Sequence, residues 1–220
     1  MCNLYSNTMS QDAMRQLFSL PAERDRIGNS EGWRAIYPRY DGPVLRLGED
    51  GERELLEMHW GFVMPQASKK TGKPIQPRAV NNARDDKLRS SGFWKSSFQD
   101  RRCLIPATSF CEAEGRQPAT YHWFGVDARA PFCLAGIWKP HRGKYKDELA
   151  DIETYSMVTT TPNEVVAPIH PDRMPAILDE KDWNTWLSGT PEEAFSLIAP
   201  FDPGRMAVID KGEDLKSEPA

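Results

Sequence analysis

TYHWFGV at 120–126 and FCLAGIW at 132–138, parted by DARAP at 127–131, are the stretch on which the fold turns. Both runs are aromatic and aliphatic, are bounded by Asp, Gly or Pro, and read as strands. The same signature recurs outward in VLRL at 44–47, LLEMHWGFV at 55–63, CLIPA at 103–107, TYSMVTT at 154–160 and MAVI at 206–209, about seven strands in all. Helix signals are fewer. Ser10 stands as an N-cap before QDAMRQLFSL, where Ala13, Met14, Leu17 and Phe18 share a face and Pro21 follows. Asp179 before EKDWNTWL, and Thr190 before Pro191 and EEAFSLI, announce two more. Without internal repeats or a linker, this pattern predicts one α+β domain over residues 1–208, with mainly antiparallel sheets and peripheral helices. Residues 209–220, charged and poor in apolar side chains, are expected to be a disordered tail.

The chain has 220 residues and a mass of 25.0 kDa, 39% hydrophobic and 27% charged. No stretch reaches the roughly 18 apolar residues of a membrane span, and MCNLYSNTMSQD has neither a basic start nor an apolar core. A cytosolic protein is expected, monomeric in the absence of heptads, with Cys2, Cys103, Cys111 and Cys133 as free thiols. The net charge of −4 argues against indiscriminate coating of nucleic acid. It hides a basic segment, 66–102, with ten basic and three acidic side chains, while the flanking segments are acidic. Phe93 and Trp94 lie inside it, so it reads either as a phosphate-tracking groove with stacking rings or as a solvated surface loop.

Cys2 carries the most chemical information. A small residue there permits removal of Met1, which leaves an amine with a reference pKa of about 7.7–8.0 beside a thiol of about 8.5. Such an aminothiol condenses with an aldehyde to an imine, and its sulfur then closes a thiazolidine on the same carbon. The plain alternative is that Cys2 packs as a small hydrophobe. AVNNARDD at 79–86 offers Asn82 to orient a substrate oxygen, or Asn81 and Asn82 to bond local backbone in a turn. Glu112, beside Phe110 and Cys111, is a proton donor and acceptor near neutral pH if its surroundings are apolar, and a solvated strand-end charge if they are not. His170 lies in VAPIHPDRMPAIL at 166–178, where prolines stiffen the turn; it reads as a catalytic imidazole or a structural one. No ligand spacing for zinc and no glycine-rich phosphate loop occurs, so neither metal nor cofactor is expected.

Taken in order, MCNLYS, NNAR, RRCLIPATSFCEAEG and APIHPDRMPAIL resemble the SOS-response-associated peptidase (SRAP) family, the abasic-site processing proteins. The resemblance runs from Cys2 to about Leu187. It implies antiparallel sheets forming a barrel-like core with a basic channel for single-stranded DNA. It also implies a Cys2 crosslink to the abasic-site aldehyde that protects the lesion during the DNA damage response, with Asn82, Glu112 and His170 around the sugar. Arg84 and Arg173 are then expected at phosphates, and Trp60 and Trp94 in the DNA-binding surface. Many relatives begin Cys-Gly-Arg where this chain has Cys2, Asn3 and Leu4, and Cys111 stands where an aromatic ring is common.

Two other functions use the same residues. In an N-terminal-nucleophile peptidase, the Cys2 thiolate attacks an amide, its own amine or His170 serves as base, and Asn82 steadies an oxyanion. In a plain single-strand-binding module, the arginines and tryptophans suffice and Cys2 is incidental.

Overall fold

Strands dominate the computed structural model, which describes residues 2–145 and 148–218. Leu4–Asn7 (β1) opens the chain, and helix α1 (Gln11–Leu17) follows, capped as expected by the Ser10 side chain accepting from the Ala13 N–H. Next come β2 (Trp33–Ile36), β3 (Asp41–Leu47), β4 (Arg53–Trp60), β5 (Phe62–Ala67), β6 (Pro74–Val80) and β7 (Asn82–Arg84). Short helices α2 (Asp85–Leu88) and α3 (Lys95–Asp100) lead into β8 (Arg102–Ala107), β9 (Ser109–Glu114) and β10 (Thr120–Val126). The long pair β11 (Phe132–Tyr145) and β12 (Glu148–Thr160) precedes β13 (Met174–Pro175), β14 (Ile177–Leu178), α4 (Trp183–Ser188), α5 (Pro191–Ser196) and β15 (Met206–Gly212).

Five of these strands close on themselves. β12 pairs with β4, β4 with β3, β3 with β8, β8 with β11, and β11 returns to β12. The ring is a barrel, antiparallel except at the β12–β4 joint, where Thr154 faces His59 and Tyr155 faces Trp60 in parallel register. Strand alternation divides its side chains. Cys103, Ile105, Leu134, Met157 and Trp60 belong to the inner cluster, while Leu104, Ala135, Ile137 and Val158 meet Met14, Phe98, Trp183 and Trp186 of the helices outside. Gly136 is required where the inner face is tightest, since a Cβ there would lie 2.8 Å from the Cys103 sulfur. An open five-stranded sheet, β15-β10-β9-β1-β2, packs Tyr5, Phe110 and Phe124 onto the same inner cluster.

The runs at 44–47, 103–107 and 120–126 lie where the sequence places them. The run at 55–63 is broken at Gly61, whose φ of 130° turns the chain out of the barrel into the separate β5–β6 hairpin. The runs at 132–138 and 154–160 are only the apolar halves of strands 14 and 13 residues long, whose outer halves are polar. Thr190 makes a full capping box with Glu193, whereas the Asp179 carboxylate accepts from Arg205 instead of capping. NNAR is not a turn: Asn82–Arg84 runs parallel to β12.

The expected disorder from residue 209 is corrected. β15 continues to Gly212 along β10, and residues up to Glu218 fold back onto the sheet. Backbone pairing, side-chain anchoring and the packing of Ile209 and Leu215 hold this charged segment; residues 219–220 lie outside the described residues.

Candidate functional site

β1 enters the sheet beside β9, with Leu4 opposite Cys111 and Tyr5 opposite Phe110. Cys2, just ahead of β1, is thereby carried into the inner cluster and is fully buried in the chain that still bears Met1. In that form the Cys2 nitrogen belongs to a peptide bond. The thiol hydrogen-bonds weakly to the Leu4 carbonyl at 3.4 Å and the Cys111 carbonyl at 3.9 Å. Burial, and next the charge of Glu112, push its pKa well up, so the sulfur rests as a thiol.

Two amides grip the Cys2 backbone. Asn82 Nδ2 donates to its carbonyl at 2.8 Å and Asn81 Nδ2 at 3.2 Å, and Asn81 also donates to Asn3 Oδ1 at 3.0 Å. Asn81 is fixed in turn through its own carbonyl, which accepts the Trp60 indole N–H at 3.0 Å and the Met157 N–H at 2.9 Å. Asn82 Oδ1 is buried with no hydrogen-bond partner among the described residues. An acceptor left so in the interior costs about 1–3 kcal/mol, an expense consistent with a group held ready for a substrate donor.

Glu112 sits on β9 opposite His122, 3% exposed. Burial raises its pKa to about 7, with the charge of the amino terminus pulling the other way. The carboxyl is therefore poised to give or take a proton at neutral pH. His170 follows a loop anchored by Asn163, whose Oδ1 accepts from the N–H groups of Val165 and Val166 and whose Nδ2 donates to the Phe201 carbonyl. Val166 and Ile169 join the cluster that holds Cys2. The Arg173 N–H donates to His170 Nδ1 at 3.2 Å, which puts the proton of the neutral imidazole on Nε2. Burial, then the positive amino terminus, lowers the His170 pKa and favours that neutral form. Glu112 and His170 line one cleft of about 620 Å³ together with Asn3, Leu4, Tyr37, Cys111 and Arg116.

Cys2, Asn82, Glu112 and His170 thus come together from four distant parts of the chain. The residues expected at DNA fare differently. Arg84 is exposed and bonded to Asp86 through Nε at 2.9 Å. Arg173 is not a surface cation: it is buried, paired with Asp85 at 2.6 Å, and donates to the Thr159 backbone. Trp60 and Trp94 are not stacking platforms. Trp60 is wholly buried between Tyr5 and Tyr155, and Trp94 packs on Phe62 and Phe93. The basic segment is divided too, since Arg102 is buried and donates to the Trp186, Phe98 and Gln99 carbonyls. Its exposed remainder includes Lys69, Lys70, Lys73 and Arg78 on the β5–β6 hairpin, and β6 runs straight into Asn81. Tyr37 and Arg116 in the cleft carry no motif by which sequence reasoning finds them.

A sequence model of the family described as SOS response associated peptidase (SRAP) matches residues 1–215. Over 172 residues the chain is 30% identical to a Bacillus subtilis (strain 168) protein named abasic site processing protein YoqW, covering 74% of this chain and 72% of that one. It is 27% identical over 199 residues to abasic site processing protein HMCES of Gallus gallus, covering 75% of this chain and 57% of that one. Two crystal structures share its fold. A Bacteroides thetaiotaomicron protein superposes with a TM-score of 0.73 at 20% identity, over 96% of this chain and 90% of its own. A Bordetella bronchiseptica protein gives 0.71 at 22%, over 95% and 100%.

Proposed function

Because the chain belongs to the SOS response associated peptidase (SRAP) family, we propose that it processes abasic sites in DNA, capturing the ring-opened lesion in a single strand as a thiazolidine on Cys2. The observation that carries this reading is the double amide grip on the Cys2 carbonyl next to a carboxyl with a pKa of about 7. It supports a reaction in which the prospective amine, the thiol and a proton donor meet at one point, and such proximity is worth several kcal/mol of barrier at effective molarities of about 10⁵ M or more.

Removal of Met1 frees the Cys2 amine. The amine adds to the aldehyde carbon, and a proton moves from nitrogen to oxygen to give a carbinolamine. Protonated Glu112 then hands its proton to the departing hydroxyl, one water leaves and a protonated imine remains. The Cys2 sulfur adds to the imine carbon while its proton passes to the Glu112 carboxylate, which restores the acid. One C–N and one C–S bond replace the carbonyl, with one water released. His170 presents Nε2–H to the sugar oxygen, and Asn82 Oδ1 accepts a sugar hydroxyl. Cations on the β5–β6 hairpin, together with Arg84, meet the flanking phosphates.

The peptidase alternative draws less support, because the Asn82 amide that would steady an oxyanion is already bonded to the enzyme's own Cys2 carbonyl. The deciding experiment incubates Met1-free protein, verified by intact mass, with a single-stranded oligonucleotide carrying one abasic site. A denaturing gel is expected to show a retarded band that Cys2→Ala abolishes. Peptide cleavage without that band would establish the peptidase instead. Salt-sensitive binding untouched by Cys2→Ala, with neither product, would leave only a strand-binding module.

A further inference from the structure

Residues 213–218, with Leu215 their one large apolar side chain, fold back across the sheet that carries the site. Leu215 packs against Leu4, Cys111 and Trp123, and its carbonyl accepts the Trp123 indole N–H at 2.9 Å. The Lys216 carbonyl accepts the Tyr37 hydroxyl at 2.5 Å. Glu218 closes the segment. Its N–H donates to the Arg34 carbonyl at 2.8 Å, and the Arg34 guanidinium returns two bonds to the Glu218 carbonyl at 3.0 and 2.6 Å. The Glu218 side chain enters a pocket of hydroxyls, where Ser6 Oγ and Thr108 Oγ1, the latter at 2.7 Å, both donate to Oε2. Ser109 Oγ lies 2.8 Å from Ser6 Oγ, and Glu218 is only 5% exposed.

A carboxylate is buried at such a depth only where charge-assisted hydrogen bonds compensate its lost hydration. What those bonds hold is the useful point. Ser6 is on β1, four residues beyond Cys2, and β1 itself is four residues long. A strand so short has few ladder bonds of its own, so whatever fastens Ser6 and Leu4 also fixes the chain at Cys2. Tyr37 and Leu4, both touched by the segment, are walls of the cleft holding Glu112 and His170.

We propose that residues 213–218 form a strap that positions Cys2 for reaction, with Glu218 as its fastening residue; the catalytic part of this rests on the crosslinking reading above. Glu218 touches none of the reacting atoms and acts through β1, so it is a positioning residue. The test compares the full chain with Glu218→Ala, Glu218→Gln and a chain ending after Gly212. Four readouts are taken: the thermal midpoint, binding to single-stranded DNA carrying an unreactive tetrahydrofuran analogue of the lesion, the single-turnover adduct rate at saturating DNA, and amide exchange at Tyr5 and Ser6.

Loss of the strap is expected to slow adduct formation about tenfold while changing analogue binding less than about twofold, as for a group that aligns reactants without contacting them. Exchange at Tyr5 and Ser6 should quicken. Glu218→Gln should retain most of the rate, since an amide oxygen still accepts both hydroxyls, and a synthetic peptide of residues 213–218 should restore part of it to the shortened chain. An adduct rate that is unchanged, or that falls only with the folded fraction, overturns the proposal. If the full chain forms no adduct, the crosslinking reading has failed by itself. The strap is then judged by exchange at β1 and by alkylation of Cys2 with a small maleimide; unaltered protection and reactivity would overturn it as well.

Discussion

The closed barrel and the open sheet against it are built by opposite rules. In the ring β12-β4-β3-β8-β11 each strand has two neighbours, and its alternate side chains are apolar on both faces. In β15-β10-β9-β1-β2 the strand that follows Cys2 is four residues long, and the groups around it are polar and costly to bury. They include Asn82 Oδ1 without a partner among the described residues, Glu112 with a pKa of about 7, and a carboxylate in a cage of hydroxyls. The barrel supplies stability, and the sheet spends some of it on burying polar groups. Substitutions in the first should therefore lower the folding free energy without altering the chemistry of molecules that remain folded, and substitutions in the second should do the reverse.

The largest contrast sets Trp186→Ala against Cys2→Ala. Trp186 is fully buried on the outer face of the barrel, packs against Phe98, and donates its indole N–H to the Cys103 carbonyl at 2.9 Å. Deleting such a ring leaves a cavity and an orphaned carbonyl, with an expected loss of about 3–5 kcal/mol in urea unfolding. Cys2→Ala removes one sulfur at the end of a short strand and should cost about 1 kcal/mol while eliminating the adduct. Equal losses of stability in the two variants would break the division of labour.

The same division explains what was legible beforehand. The barrel strands announce themselves because apolar runs bounded by turn residues reflect local chemistry, as in residues 44–47 and 103–107. What stayed hidden depends on partners far along the chain. The polar outer halves of β11 and β12 are strands only because they pair with each other from Gly136 to Tyr145 and from Glu148 to Met157. Trp94 looked like a stacking ring because an aromatic residue in a basic segment has the same local pattern whether it meets a base or a core, and Trp60 was expected at DNA from the resemblance alone. Arg173 and Arg84 illustrate the limit. Both are arginines in motif segments, and only the fold shows that one is buried against Asp85 and the other is exposed. Cys2, Asn82, Glu112 and His170 were singled out by reaction chemistry and ordered motifs, which need no knowledge of packing.

Glu112→Gln gives an intermediate effect with a definite sign. The carboxyl has a folded pKa of about 7 against an ordinary 4.5, because burial disfavours its charge. Between those values the unfolded chain has released its proton while the folded chain still holds it. Stability therefore falls as pH rises through that window, and it stays lowered above it. The amide cannot ionise, so the variant should lose that decline and unfold at higher urea than the parent at pH 8, by a margin on the order of 1–3 kcal/mol. Adduct formation in the parent should fall above about pH 7 as Glu112 loses the proton it donates; in the variant it should be slow and without that limb. A limb that persists in Glu112→Gln would assign the titration to another group.

Arg84 should show the smallest effect, and its sign tests whether the exposed cations near the site meet phosphate. In the free protein its guanidinium is already engaged by Asp86, through Nε at 2.9 Å and through a second nitrogen at 3.1 Å. A phosphate must displace that carboxylate to make the same bonds, so much of the electrostatic gain cancels. Arg84→Gln is accordingly expected to weaken single-strand binding only about threefold and to reduce the salt slope by about 0.7, the change for one phosphate contact on a single strand. Removing the competitor should act the other way. Asp86→Asn leaves Arg84 in place without its ion pair and should tighten binding by about the same factor, an effect that vanishes in the double variant. If Asp86→Asn weakens binding instead, the pair holds the junction of β7 and α2 in shape and Arg84 does not contact phosphate.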